Sequence, residues 1–445
     1  MTTTDQLYQI YLQHPVISTD TRKIADGSLF FALKGDKFDA NTFAQKALES
    51  GAAYAIIDNA DYKTSDKFLL VDDVLTALQQ LAAHHRRQLN IAVIGLTGTN
   101  GKTTTKELIN AVLSQKFNTL ATQGNLNNHI GVPLTILTIN NTHQMAVIEM
   151  GANHQKEIAL LCSIAQPSHG MITNVGKAHL EGFGGVEGVK IGKGEMYDYL
   201  KEHAGEGRFA FINSDDATLL KMAEDRGLDN VVYYGKGHNT NNLVCGKLLD
   251  SSPLLKLKWN NRNSSSYNVS TQLTGSYNLD NILAAICIGS YFGLTADEID
   301  QGVEGYQPKN NRSQITKTAT NTLICDFYNA NPSSMFVAID NMDKMGATNK
   351  VLILGDMFEM GDESAAEHTA VIKKALEANV EERIFIGKEF SSQQTEAQSS
   401  ALTNTTFYLT AEDALIGLKA KPISGATILI KGSRGMALER LVELF

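Results

Sequence analysis

Short apolar runs alternate with longer amphipathic stretches along most of the chain. Residues 28–33 and 52–57 are apolar runs of strand length with a helical pattern between them, and 74–87 is helix-like, which together predict a small α/β unit. A β-branched run at 91–95 leads directly into a glycine-rich turn and a long helical stretch, 103–115. Strand, glycine loop and helix in that order open a phosphate-binding α/β domain. Further strands are predicted at 145–149, 170–175, 209–213 and 231–234, with room for helices between them, so the sheet is expected to be mostly parallel. Between 243 and 273 the pattern changes to short strands such as 255–259, with polar turns including 260–266, and predicts an antiparallel edge. A helix at 279–292 and a linker at 305–311 follow, the latter holding a Pro and two Asn. Past it, strands at 322–326, 351–354, 383–386, 406–409 and 427–430 alternate with helices in a doubly wound pattern. The expected fold is therefore α/β in three domains: a small N-terminal α/β domain, 1–88; a central P-loop domain with a mostly parallel sheet, 89–308; and a C-terminal Rossmann-like domain, 309–445.

Length agrees with that division, since 445 residues make about three domains of ordinary size. The 43% hydrophobic content, with 36 Gly and 7 Pro, excludes a disordered or collagen-like chain. A net charge of −9 argues against a protein that coats nucleic acid or an anionic membrane, so an anionic ligand must be met by locally placed cations. Cys162, Cys245, Cys287 and Cys325 lie far apart and suggest neither a disulfide framework nor a structural zinc site. The first eleven residues carry no basic region followed by an apolar run, and no stretch approaches the roughly eighteen apolar residues of a membrane span, so a cytoplasmic protein without membrane insertion is expected.

The strongest chemical signal is residues 95–105, Gly-Leu-Thr-Gly-Thr-Asn-Gly-Lys-Thr-Thr-Thr. Successive amides in such a loop face phosphate oxygens, a Lys reaches the terminal phosphates and a Thr hydroxyl can ligate Mg²⁺. The spacing departs from the common P-loop, but Gly101, Lys102 and Thr103 are intact between a predicted strand and helix. Glu149 ends the strand that follows, where a metal-binding or water-positioning acid belongs in such an enzyme. His179, closing Thr-Asn-Val-Gly-Lys-Ala-His at 173–179, reads as a metal ligand, a phosphate donor or an ordinary loop histidine, and taken in isolation the last is the better reading. No Asn-Lys-x-Asp run is present, which disfavours a GTPase.

Several ordered motifs together carry a resemblance: GTNGKT at 98–103, GNLNNHIGVP at 124–133, EMG at 149–151, the 173–179 run, and Lys193 followed by Gly194 and Glu195. The chain resembles the Mur ligase family over essentially its whole length. Its C-terminal motifs, DFYNANPSSM at 326–335, LGDMFEM at 354–360 and KGSRGMALE at 431–439, are similar to those of the member that adds D-alanyl-D-alanine to UDP-N-acetylmuramoyl-tripeptide. The diaminopimelate-adding member usually carries Asp-Asn-Pro-Arg, which is absent here. Another member, or a folylpolyglutamate synthase-like ligase, is the nearest alternative, and a non-catalytic P-loop switch is an alternative of a different class.

The resemblance implies an ATP- and Mg²⁺-dependent amide ligase working through an acyl phosphate in peptidoglycan precursor synthesis, with a monomer expected. By motif position it implies a nucleotide site of Gly98, Thr99, Asn100, Gly101, Lys102, Thr103 and Thr104, with Asn278 and Asn281 near the adenine and Arg312 and Asp326 reaching in from the third domain. Thr103 and Glu149 would share one Mg²⁺, and His179 a second. Lys193 matches a lysine that the family carbamoylates. Ser18, Arg22 and Lys34 match contacts to the UDP end, and Asn125 lies in a substrate motif. The usual Phe-Asp-Gly-His of that region is replaced by Phe38, Asp39, Ala40 and Asn41, so a histidine-dependent contact does not carry over. Glu157, in a segment that also departs from the family pattern, reads either as an active acid or as a helix cap. Asn329, Asn331 and Arg434 are candidates for the dipeptide carboxylate, with a polar domain rim as the plain alternative for Arg434.

Overall fold

A computed structural model describes residues 1–252, 254–262, 266–309, 312–394 and 404–445. The N-terminal unit is a four-stranded parallel sheet in the order Ile17–Ser18, Leu29–Phe31, Tyr54–Ile57, Phe68–Leu70. The sequence pattern finds the two inner strands, which lie within the apolar runs at 28–33 and 52–57, and misses the outer two, which lie outside them. Phe30, Ala55 and Ile57 form a small core on one face of this sheet.

The other face does not close on itself. Leu7, Leu29, Leu78 and Leu81 join Val93, Val132, Ile148 and Leu161 of the central unit in one continuous apolar cluster. Helix Val74–Gln88, capped by Asp73 accepting from the Thr76 N–H, is the shared element. From it Arg86 Nε donates to Ala165 O at 3.0 Å and His85 Nε2 meets Ile139 O at 2.8 Å. The two N-terminal units are thus fused through a common core rather than each being closed by its own.

The central sheet has nine strands, in the order Tyr267–Ser270, Lys256–Asn261, Asn242–Asp250, Val231–Lys236, Phe209–Asn213, His169–Ile172, Ala92–Thr97, Met145–Glu149, Thr119–Ala121. From Ala92–Thr97 the chain runs out to Thr119–Ala121, returns beside it at Met145–Glu149, and then crosses to its other side at His169–Ile172. That reversal opens a crevice at the carboxyl end of Ala92–Thr97, where ligands bind in open α/β sheets. The antiparallel edge is present but begins one strand later than the pattern suggests, because Asn242–Asp250 runs parallel to Val231–Lys236. Residues 263–265 of the expected turn lie outside the described residues.

The C-terminal sheet has the order Gln314–Lys317, Thr322–Asp326, Thr427–Lys431, Lys350–Gly355, Glu382–Ile386, Thr405–Tyr408. All five expected strands occur, and they are parallel. Gln314–Lys317, half-buried and polar, adds an unpredicted antiparallel edge. The expected linker begins where helix Ala296–Gly305 ends; its Asn310 and Asn311 lie outside the described residues.

Candidate active site

The glycine-rich loop sits at the sheet's reversal point and runs into helix Lys102–Leu113, whose N-cap is Gly101 in the left-handed conformation at φ 78°. Two glycines are sterically required. A Cβ on Gly98 (φ 142°) would lie 2.0 Å from Thr173 Oγ1, and one on Gly101 would lie 2.7 Å from Asn281 Oδ1. Lys102 folds back on the loop, its ammonium donating to Gly98 O at 2.7 Å and Thr99 O at 3.0 Å. Burial pulls its pKa down to about 8, against the attraction of Glu149.

Residues 173–176 clamp this loop from the neighbouring strand end. Thr173 Oγ1 and Asn174 Nδ2 donate to Asn100 O at 2.6 and 3.0 Å, the Asn100 N–H donates to Asn174 Oδ1, and the Gly176 N–H donates to Thr99 Oγ1. A second brace lies beneath the helix. Thr105 Oγ1 donates to Asn281 Oδ1, Asn281 Nδ2 to Asn278 Oδ1, and Asn278 Nδ2 to Thr274 O. Asn278 and Asn281 therefore hold the phosphate-loop helix as well as lining the space beside it.

Glu149 is buried, and both its oxygens are directed: Thr103 Oγ1 donates to Oε2 and Asn127 Nδ2 to Oε1, each at 2.9 Å. A hydroxyl and a carboxylate so placed are hard oxygen donors suited to Mg²⁺, which takes one or two protein ligands and completes its shell with phosphates and water. Among the described residues no group of three or more His, Cys, Asp or Glu is arranged to hold a metal by itself.

The loop opens into a cavity of about 1050 Å³ between the central and C-terminal units. Thr99, Asn100, Gly101, Lys102, Thr103, Thr104, Glu149, His179, Asn278, Asn281, Arg312, Asp326, Asn329 and Asn331 all line it. From the C-terminal side, Arg312 lies 3.9 Å over the Tyr328 ring, and its buried Nε has no acceptor among the described residues. Arg434 stacks on the same ring at 5.1 Å without lining the cavity. Asp326 is held by Lys431 at 2.7 Å, and Lys431 is itself a lining residue that the sequence reading missed. Asn127, Tyr328, Asp215 and Asp216 were missed too. Asn127 stands in the motif that already named Asn125, which is exposed and outside the cavity lining.

His179 pairs through Nδ1 with Glu359 of the C-terminal unit, and both residues have positive φ. Burial lowers the histidine pKa while Glu359 opposes the shift. Lys193, on helix Val186–Glu202, is 2% exposed and lies outside the cavity lining. Its ammonium donates to Ala152 O at 3.1 Å and sits 5.0 Å from the Phe183 ring, and burial brings its pKa down to about 7. Glu157 accepts from the Asn153 and His154 N–H groups of the turn before helix Glu157–Ala165, and Glu195 accepts from the Lys156 and Ala159 N–H groups at the start of that helix. Glu157 also lines the cavity.

The N-terminal candidates do not line this cavity. Arg22 is an exposed cation paired with Asp20 at 2.8 Å, and Ser18 Oγ is turned onto its own loop, towards Asp20 O and Lys23 O. Lys34 is held at 2.7 Å by Asp58. Asn41, where the resemblance expects a histidine, is fully buried; its Nδ2 donates to Asp39 and to Asp58 at 2.7 and 2.8 Å. It is a strut behind Lys34 rather than a group offered to a ligand.

Comparison with known proteins extends over the same three units. Residues 15–86 match the Mur ligase family catalytic domain, 96–289 the Mur ligase middle domain, and 311–434 the Mur ligase glutamate ligase domain. The chain is 35% identical over 434 residues to the UDP-N-acetylmuramoyl-tripeptide--D-alanyl-D-alanine ligase of Bacillus subtilis (strain 168), covering 96% of this chain and 92% of that protein. It is similar to the crystal structure of MurF from Acinetobacter baumannii, with a TM-score of 0.87, 30% identity, and 99% and 98% of the two chains covered. It is also similar to the MurF ligase of Thermotoga maritima crystallised with ADP, with a TM-score of 0.83, 26% identity, and coverage of 97% and 96%.

Proposed function

The chain belongs to the Mur ligase family, and from that premise we propose that it joins D-alanyl-D-alanine to UDP-N-acetylmuramoyl-tripeptide at the expense of ATP. The observation that carries the reading is the cavity between the central and C-terminal units, where a phosphate loop with a directed Thr103–Glu149 pair faces Arg312, Asn329 and Lys431. A triphosphate and a peptide carboxylate, both anions, have to meet there, so the catalytic work is mainly positioning and charge neutralisation.

In this reading the tripeptide carboxylate attacks the γ-phosphorus of ATP, giving an acyl phosphate and ADP. The dipeptide amine, having lost its proton, attacks the acyl carbon, and the tetrahedral intermediate collapses to the amide with loss of phosphate. Lys102 holds the β- and γ-phosphates, drawn off Gly98 O and Thr99 O as they arrive. Thr103 and Glu149 would hold Mg²⁺, which would supply positive charge to offset the negative charge of the phosphates. Asn278 and Asn281 keep the loop helix in register beside the base, and Arg312 and Asp326 close over the nucleotide. Asn329 and Arg434, the latter through the Tyr328 face it shares with Arg312, stand on the dipeptide side. Ser18, Arg22 and Lys34 face the UDP end.

Unmodified Lys193 is a cation donor and does not fit a metal. Its neutral form, populated at a pKa of about 7, is the species that adds carbon dioxide, so carbamoylation there is part of the proposal and would give His179 an anionic neighbour. The division at 1–88, 89–308 and 309–445, a monomeric state and a cytoplasmic location belong to the same proposal. Among the described residues no helix is long and apolar enough to cross a membrane. ADP release should require ATP, the UDP-linked tripeptide and D-alanyl-D-alanine together; release that is indifferent to the dipeptide would refute the assignment.

A further inference from the structure

Asn331 does two things with one amide. Its Oδ1 accepts from the Ser334 N–H at 2.9 Å and so caps helix Pro332–Lys344. That fixes which end of the amide faces outward, and Nδ2 donates across the domain boundary to Asn100 Oδ1 at 2.8 Å. The backbone of Asn100 is already pinned, its N–H on Asn174 and its carbonyl on Thr173 and Asn174. Its side chain is therefore a handle by which the C-terminal domain reaches the loop.

Ser333, in the first turn of the same helix, touches the clamp itself. Ser333 Oγ accepts from the Lys177 N–H at 3.1 Å, and a Cβ on Gly176 would lie 2.8 Å from that oxygen. Lys177 in turn pairs with Glu367, whose side chain is only 7% exposed. The first turn of one C-terminal helix thus rests on the phosphate loop and on the segment that clamps it.

We propose that Asn331 is a positioning residue that couples docking of the C-terminal domain to the shape of the phosphate loop, through Asn100, rather than a ligand of the dipeptide. Undocking returns both amides to water and frees the loop's outward handle, so a nucleotide that orders the loop favours docking by the factor by which docking favours the nucleotide. The proposal deepens the ligase reading and rests on it for its kinetic arm only.

Three variants of the full chain separate the two jobs of the side chain. Asn331→Ser keeps a good helix cap but is too short to reach Asn100. Asn331→Asp keeps the cap, and the Asn100 amide can turn over to donate to it. Asn331→Ala loses both. Melting temperature, kcat and KM for ATP and dipeptide, and small-angle scattering with and without a non-hydrolysable ATP analogue, form the readout. For Asn331→Ser we expect a melting temperature close to wild type, kcat lower by about tenfold, as for loss of one hydrogen bond, little change in dipeptide KM, and loss of the compaction that the analogue causes in the wild-type chain. Asn331→Asp should restore both kcat and compaction, and Asn331→Ala should show the same kinetic loss with a lower melting temperature. Wild-type kcat and compaction in Asn331→Ser, an effect confined to dipeptide KM, or no compaction in the wild-type chain would each overturn the proposal. Absence of wild-type turnover would instead refute the ligase reading and leave scattering to decide the coupling.

Discussion

Replacing Lys193 with methionine should make the protein more stable at neutral pH while abolishing turnover. The amine is 2% exposed, and its pKa falls from 10.5 to about 7 because burial disfavours the ammonium. That gap of 3.5 pH units, at about 1.36 kcal/mol each, means that the side chain opposes folding by about 4 to 5 kcal/mol at pH 7. Methionine keeps the length and the contact with Phe183 but leaves Ala152 O without its donor, a loss of about 1 kcal/mol. The net expectation is a gain of about 3 kcal/mol at pH 7. In the window from about pH 7 to 10.5 the unfolded amine holds a proton that the folded one has released, so wild-type stability rises with pH and the advantage of the variant shrinks. Urea unfolding in degassed buffer at about pH 7 and pH 9.5 would show wild type gaining roughly 3 kcal/mol relative to Lys193→Met. Added bicarbonate should stabilise wild type alone. Equal pH slopes for the two proteins would refute the argument, since Lys193 would then be hydrated and ordinary.

Three other outcomes follow from the geometry. Because the Lys102 amine is held at about 8 before phosphates arrive, nucleotide binding above pH 8 takes up a proton, and affinity should fall by up to about tenfold per pH unit there while staying flat near pH 7. Calorimetry in buffers of different ionisation enthalpy would detect that proton, and a flat profile to about pH 9.5 would contradict it. Gly98→Ala sets a methyl 2.0 Å from Thr173 Oγ1 at a φ unsuited to alanine, so nucleotide affinity should drop by more than about tenfold. Adding Thr173→Ala should recover it only in part, because the Thr173 backbone nitrogen remains 3.0 Å from that methyl. His169, stacked with Phe209 and Phe211 and edge-on to Tyr291 and Phe292, is pushed down to about 4 by burial. The unfolded chain takes up a proton that the folded chain refuses, so stability should fall by up to about 3 kcal/mol from pH 6.5 to 4, a loss that urea titrations should find missing in His169→Phe.

The chain by itself determined what depends on neighbouring residues: a strand, a glycine-rich turn and a helix in direct succession, and an acid at the end of a later strand. Thr103 and Glu149 meet as that pattern suggests, because adjacent parallel strands bring their carboxyl ends to one edge of the sheet. Ile17–Ser18 escaped because two residues hold no period, and Gln314–Lys317 because its half-buried polar residues do not alternate cleanly. Tertiary structure alone decided every pairing that spans a domain. Asn41 was only a missing histidine until its burial against Asp58 made it a strut for Lys34. Asn331, a dipeptide candidate in the sequence, also donates to Asn100 across the domain boundary, a contact that no local pattern announces. Glu359 was one letter of the 354–360 motif, with no role assigned, until it reached His179, 180 residues earlier. Sequence patterns record the local periodicities that build helices and strands, whereas these contacts depend on where separate sheets and helices come to rest.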